Sequence, residues 1–235
     1  AEEIDPDYMD PEGYWGGVYV GVLGFCSNEK VLDELGLDVP ETWDDLLDPK
    51  LKDQIMMAHP ATSGTAFTAL WTQVVLRGGE EEGMDWMKKL HPNMLQYTKS
   101  GSAPAQSAGR GEVATSIVFS HDCVKYTEQG MDDLVTTIPS DGTGWEIGGV
   151  AVIAGANNED AAKEYYDWAL SAEAQEVGPE HQSYQLFTNP NGTPNENMVD
   201  LEDITLVDYD FAEAAAEKDR LTAQFDEEIA TAPKE

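Results

Sequence analysis

The chain has 235 residues, with 46 acidic and 13 basic side chains and a formal net charge of −33. Hydrophobic residues make up 41 % and aromatics 9 %, enough to pack one large or two small domains and to argue against global disorder. So few bases, spread along an acidic chain, exclude the clustered Lys and Arg that nucleic acid and anionic membranes require.

Only three of the bases are Arg. The acidic excess is larger than ordinary solubility needs and points to a protein working in high salt, where self-repulsion is screened. No run of ~18 apolar residues occurs, so no membrane span is expected. The opening AEEIDPDYMD lacks the basic and apolar parts of a signal peptide and reads as a mature or cut start.

Residues 1–13 are acidic and irregular, and Tyr14 to Phe25 is aromatic, β-branched and Gly-rich, which predicts a strand. A short helix follows over Asn28 to Leu35 and ends at Gly36. Thr42 caps a helical turn through Leu47 that Asp48-Pro49 stops. Residues 54–58 form a buried strand, broken by Pro60, and Thr62-Ser63-Gly64-Thr65 then opens an apolar helix at about 64–77. A second helix covers about 80–90. Leu95 to Tyr97 is a short strand, followed by Thr98-Lys99-Ser100-Gly101-Ser102 and a helix over about 103–108. Val113 to Phe119 is a buried strand, His121 to Gln129 a helix, Leu134 to Ile138 a strand and Gly144 to Ala154 another. Helices are expected over Asp160 to Leu170 and Ala172 to Val177, then loops, then a last acidic helix at about 208–229.

Strand and helix alternate from 40 to 170, which predicts an α/β domain with a mostly parallel sheet. Ligands of such sheets bind beyond the carboxyl ends of the strands. Four polar segments follow strands here: Pro60 to Thr65, Thr98 to Ser102, Ser120-His121-Asp122 and Trp145-Glu146. Strand-to-helix turns rich in Ser, Thr and Gly present hydroxyls and free backbone N–H groups to one point, which favours an oxygen-rich, anionic ligand. The same hydroxyls are ordinary helix caps, so both readings stand for Ser63 and for Asp122. Cys26 and Cys123 are too few for a disulfide framework; one bridge and two free thiols both remain open. His121 and Cys123 lie two apart, but no third orienting group or oxyanion hole accompanies them, so no catalytic residue is assigned. No CxxC or HExxH pattern marks a metal site, and no cofactor is expected.

Taken together, PETWDDLLDPKLKDQI, HPATSGTA, YTKSGSAPAQSAGRGE, SHDC, PSDGTGWEIGGVAVI and DWALSAEAQE resemble the extracellular solute-binding proteins of ABC importers, in the branch that includes ferric-iron and hexose-phosphate binders. The resemblance runs from about residue 14 to about 190. It implies a two-lobed periplasmic-binding-protein type II fold of class α/β, with the distal lobe complete and the proximal lobe partial. Residues 1–25 would hold a proximal remnant and the first crossing strand, 26–148 the distal lobe, and 149–235 the second crossing strand and the rest of the proximal lobe. Family members carry a further N-terminal part, so the chain is expected to be a fragment or to work with a separate N-terminal polypeptide.

The turn chemistry and the resemblance together give a candidate ligand-binding set of Ser63, Gly64, Thr65, Ser100, Gly101, Ser102, His121, Asp122, Trp145 and Glu146. His121, Asp122 and Glu146 match positions that hold the sugar in hexose-phosphate binders, and imidazole and carboxylates suit neighbouring hydroxyls. Trp145 would stack on a sugar face. The expected function is capture of a small anionic, polyhydroxylated ligand such as a sugar phosphate in an interlobe cleft, with delivery to a membrane ABC permease. The expected location is periplasmic or extracellular, with a lipid anchor an alternative for the full-length form. Ferric iron is the competing ligand; Tyr165 and Tyr166 are adjacent on a helix, about 100° apart, and read as packing rather than as metal ligands. Trp86 and Trp168 likewise read as core. A carbohydrate hydrolase using Asp122 and Glu146 as paired carboxylates is the alternative of another class, and a pure protein-interaction module is a third.

Overall fold

The computed structural model describes residues 4–233. The chain divides into two compact units: Val22–Trp145 with Glu202–Glu235, and a smaller one made of the residues up to Gly21 with Glu146–Leu201.

In the larger unit the strands are β1 (Gly16–Asn28, entering at Val22), β2 (Ile55–Ala58), β3 (Met94–Thr98), β4 (Thr115–Phe119) and β5 (Leu134–Thr137). Their order is β3-β2-β4-β1-β5, and β6 (Trp145–Val150) pairs with β1. β2 lies parallel to both β3 and β4, whereas β1 pairs antiparallel with β4 and β5. The sheet is therefore mixed where the alternation predicted a mostly parallel one. The long strand β1 inserts between β4 and β5, a long-range pairing that local alternation does not encode.

Burial on both faces explains why β2 reads as an unbroken apolar run and β4 as one from Ile117 onward. Leu23, Phe25, Ile55, Met57, Ile117 and Phe119 join one buried cluster, and Cys26, Met56 and Val118 join another. The first cluster is covered by α2 (Gly64–Arg77), α3 (Glu80–Leu90) and α8 (Phe211–Glu228), through Leu70, Met84, Leu221 and Phe225. The second is covered by α4 (Ala103–Gly109) and α5 (Ser120–Glu128), through Ala105, Ala108 and Cys123. Both faces of the sheet are thus closed. Cys26 and Cys123 are joined in a disulfide, which resolves the open question of their state.

Thr42 caps the 3-10 turn Trp43–Leu47, as the sequence predicted, and Asp45 makes that cap a reciprocal capping box. The short helix α1 (Glu29–Leu35) is capped by the Asn28 side chain and ends on Gly36 at φ 64°, a left-handed conformation that glycine adopts without a Cβ penalty. Residues Glu202–Glu235 group with Val22–Trp145, not with 149–201 as the sequence reading had them. The reason is visible in two places. The Thr143 N–H donates to the Thr205 carbonyl and the Val207 N–H donates to that of Thr143 (both 2.9 Å), and α8 buries Leu221 and Phe225 completely.

The smaller unit contains the start of β1, most of β6, α6 (Glu159–Ala169) and α7 (Ala172–Glu180). Val20 and Leu186 exchange backbone hydrogen bonds of 2.8 and 3.0 Å. The Gln175 side chain accepts the N–H groups of Thr188 and Asn189, and Thr188 Oγ1 donates to the Gly17 carbonyl at 2.7 Å. A Cβ on Gly16 would lie 2.7 Å from Tyr166 Oη, so that glycine admits the helix α6 against the strand. Tyr166 packs there as expected. Tyr165 and Trp168 do not: they are 60 % and 46 % exposed, and α6 has no buried residue. Their reading as core is corrected. These rings line, with Val18, Tyr19, Val177 and Phe187, a groove of about 360 Å³ that no described residue fills. Trp86, by contrast, is buried and donates its Nε1–H to Asp44 at 2.9 Å. Among the described residues no helix is long and apolar enough to cross a membrane.

Candidate ligand-binding site

The parallel strands β2, β3 and β4 end together at Ala58, Thr98 and Phe119, so the segments after them share one edge of the sheet. Leu23 stands opposite Phe119, and its N–H donates to the Gly144 carbonyl at 2.9 Å, which brings Trp145 to the same edge. Three hydroxyl- or His/Asp-bearing junctions and one aromatic residue are therefore gathered by sheet register alone.

The first two turns touch. A Cβ on Gly101 would lie 2.2 Å from Thr65 Oγ1 and 2.8 Å from Ser63 Oγ, so the glycine of one turn nests against the hydroxyls of the other. Thr62 Oγ1 lies 3.2 Å from both the His59 and the Lys99 carbonyl oxygens and shares its one hydrogen between them, tying the turns further. Ser63 caps α2 by accepting from Ala66 N–H at 3.5 Å, so its oxygen lies at the helix start while the bond itself is long. Nothing lies within 4 Å of a Cβ placed on Gly64. Ser100 and Ser102 share a hydroxyl–hydroxyl contact of 3.2 Å. Ser102 makes no side-chain cap to α4, leaving its hydroxyl directed to Ser100 rather than to the helix.

His121 and Asp122 occupy the first turn of α5, whose N-cap is Phe119 with no side-chain cap bond. Asp122 is therefore not the N-cap residue but the acidic residue of the first turn, where a carboxylate favours the helix start. The His121 ring stacks on Phe119 at 5.5 Å between centroids. Burial pushes the His121 imidazole down to about 4, so it is neutral at pH 7. Burial pushes the Asp122 carboxyl up to about 6, against a smaller opposing pull from Lys125. A neutral imidazole offers one donor and one acceptor, and a desolvated carboxylate gains from any hydroxyl brought to it.

Trp145 is half-buried, edge-on to Phe211 at 4.9 Å. Glu146 falls in the smaller unit, where it accepts from Tyr19 Oη at 3.4 Å. Ser63, Thr65 and Gly101 are thus in mutual contact, while His121, Asp122 and Trp145 share their sheet edge. Sequence reasoning missed His59. It is fully buried behind the first turn, and the only local signal was a lone polar residue between the apolar IMMA strand and Pro60.

A family model described as bacterial extracellular solute-binding protein matches residues 2–218. A Haemophilus influenzae protein without an assigned function is 42 % identical over 209 residues, covering 88 % of this chain and 60 % of that one. The Fe(3+)-binding periplasmic protein of Serratia marcescens is 22 % identical over 222 residues, covering 92 % and 64 %. Among solved structures, the periplasmic binding protein AfuA of Actinobacillus pleuropneumoniae, with exogenous fructose-6-phosphate bound, superposes with a TM-score of 0.89 at 42 % identity. That match covers 97 % of this chain and 73 % of that one. The chain accordingly spans about three fifths of the length of the curated relatives it matches.

Proposed function

The chain belongs to the bacterial extracellular solute-binding protein family, and on that premise we propose that it captures a sugar phosphate outside the cytoplasm for an ABC permease. The observation that carries this reading is the nesting of Gly101 against Ser63 and Thr65 at the start of α2. Hydroxyls and a helix N-terminus on one sheet edge suit the phosphate oxygens. His121 and Asp122, with Trp145 beside them on that edge, suit the sugar, His121 and Asp122 through paired hydroxyls and Trp145 by stacking. Glu146 belongs to the smaller unit, where Tyr19 Oη donates to its carboxylate. The AfuA structure, 42 % identical and holding fructose-6-phosphate, supports the ligand class. Capture works without covalent chemistry: ligand shifts an equilibrium between two arrangements of the protein, by its differential affinity for them.

Two further elements belong to this reading. The uncovered groove beside Tyr165 and Trp168 is proposed as the seat of additional polypeptide, the counterpart of the length by which the relatives exceed this chain. The net charge of −33 is proposed as adaptation to high salt, since its mutual repulsion weakens as the Debye length shrinks.

Titration calorimetry of the protein with fructose 6-phosphate, fructose, inorganic phosphate and Fe(III) tests the ligand. Saturable 1:1 binding of fructose 6-phosphate, with fructose at least about tenfold weaker, is expected. Tight binding of Fe(III) alone would replace the ligand with iron. Release of phosphate or of a cleaved sugar during incubation would replace binding with catalysis.

A further inference from the structure

His59 follows β2 directly and is fully buried, yet its two ring nitrogens are both engaged. Nε2 lies 2.6 Å from the Ala230 carbonyl oxygen, and a carbonyl can only accept, so Nε2 carries the hydrogen. Nδ1 is then the unprotonated nitrogen, and it accepts the Ala61 N–H at 3.1 Å. The His59 backbone carbonyl accepts from Thr62 N–H at 3.0 Å, Ser63 N–H at 3.1 Å and Thr62 Oγ1 at 3.2 Å. The ring is fixed laterally by Phe225 and Tyr97, edge-on at centroid distances of 5.2 and 5.8 Å. Asp226 Oδ1, which lies 3.8 Å from Nε2, accepts Ala232 N–H at 2.6 Å and so holds the same stretch of tail.

One residue therefore ties the hydroxyl turn to the chain's C-terminal segment, 171 positions away. We propose that His59 is a positioning residue for the ligand site: the Ala230 carbonyl selects its tautomer, and that tautomer sets the Pro60–Ser63 turn through Nδ1. The C-terminal segment Ile229–Ala232 is then part of the binding device through the Ala230 bond to His59. The proposal rests on the sugar-phosphate reading for its affinity readout, but not for its structural one.

The two nitrogens are separable by substitution. An Asn amide oxygen stands near the place of Nδ1, and a Gln amide reaches the place of Nε2. His59→Asn keeps the acceptor for Ala61 N–H and loses the Ala230 bond; His59→Gln does the reverse. Both are expected to lower the melting temperature to a similar degree. Affinity for fructose 6-phosphate is expected to fall about tenfold in His59→Gln, the value of one buried hydrogen bond, and to be largely rescued in His59→Asn. Amide exchange over residues 59–66, followed without ligand, is expected to rise in His59→Gln far more than in His59→Asn. A chain ending at Ile229 is expected to show the same faster exchange, because the tautomer is no longer selected. Equal losses of affinity and equal exchange in the two variants, tracking melting temperature alone, would overturn the proposal. If the parent protein does not bind fructose 6-phosphate, the ligand reading fails while the exchange data still decide the role of His59.

Discussion

The two units treat the same kind of element differently. In the larger one, α2, α3, α8, α4 and α5 bury their apolar residues against both faces of the sheet. In the smaller one, α6 carries Tyr165 and Trp168 at adjacent turns and leaves them exposed beside a groove. Helical periodicity alone predicts core in both cases. What differs is whether described residues exist to cover the face, and amphipathic helices announce a buried side without naming what buries it.

The largest expected effect tests that contrast. Phe225→Ala removes a fully buried ring packed on His59 and Tyr97, and should lower unfolding free energy by about 3–5 kcal/mol in denaturant titration. Trp168→Ala should change it by under about 0.5 kcal/mol. A loss at Trp168 comparable to that at Phe225 would mean the groove is filled.

Substitutions at the turns sharpen the contrast within the larger unit. Gly101→Ala drives a Cβ into Thr65 and Ser63, so fructose 6-phosphate affinity should fall by at least about tenfold together with some loss of stability. Gly64→Ala meets open space in the unliganded protein and should leave stability unchanged or raise it by about 0.4–1 kcal/mol. If Gly64→Ala nevertheless weakens binding, the ligand itself approaches that backbone; if it does not, the phosphate lies elsewhere.

The smallest net effect is in the pH dependence of the parent protein, where two opposite shifts offset each other. Asp122 is raised by burial from 3.8 to about 6, so between those values the folded state binds more protons than the unfolded one. Its contribution favours folding below pH 3.8 and is lost as pH rises through 6. His121 is lowered from 6.5 to about 4, so its contribution is present above pH 6.5 and lost as pH falls through 4. The slopes are opposite and offset each other between pH 4 and 6. Relative to the parent, Asp122→Asn should gain stability as pH rises through this window, and His121→Gln should lose it. Parallel curves for both variants would show that neither group is desolvated. Salt gives a global check: melting temperature should rise with NaCl, since a net charge of −33 repels itself.

Much of the scaffold of the candidate site was legible because it is built from local chemistry. A run such as IMMA followed by Pro and then Ser-Gly-Thr specifies strand, break and helix start within a dozen residues. The helix α2 begins at Gly64 with Ser63 as its cap, as that pattern requires. The Thr42 cap was equally readable, whereas the reply of Asp45 to it and the capping role of Asn28 came only with the structure. Trp168 was misread because its exposure depends on residues far away in sequence, and His59 was missed because its partner is Ala230.

By itself, then, the sequence determined the alternating elements, their caps and the polar character of the strand ends, since these follow from backbone sterics and nearest-neighbour hydrogen bonding. The tertiary structure alone decided which strands neighbour one another. It alone decided that β1 runs antiparallel between β4 and β5, and that Glu202–Glu235 closes the larger unit. It also decided the bond between Cys26 and Cys123, whose Cα atoms lie 5.3 Å apart although the two are 97 positions apart in sequence. Such choices turn on burial summed over many distant partners, a quantity no short window of residues contains.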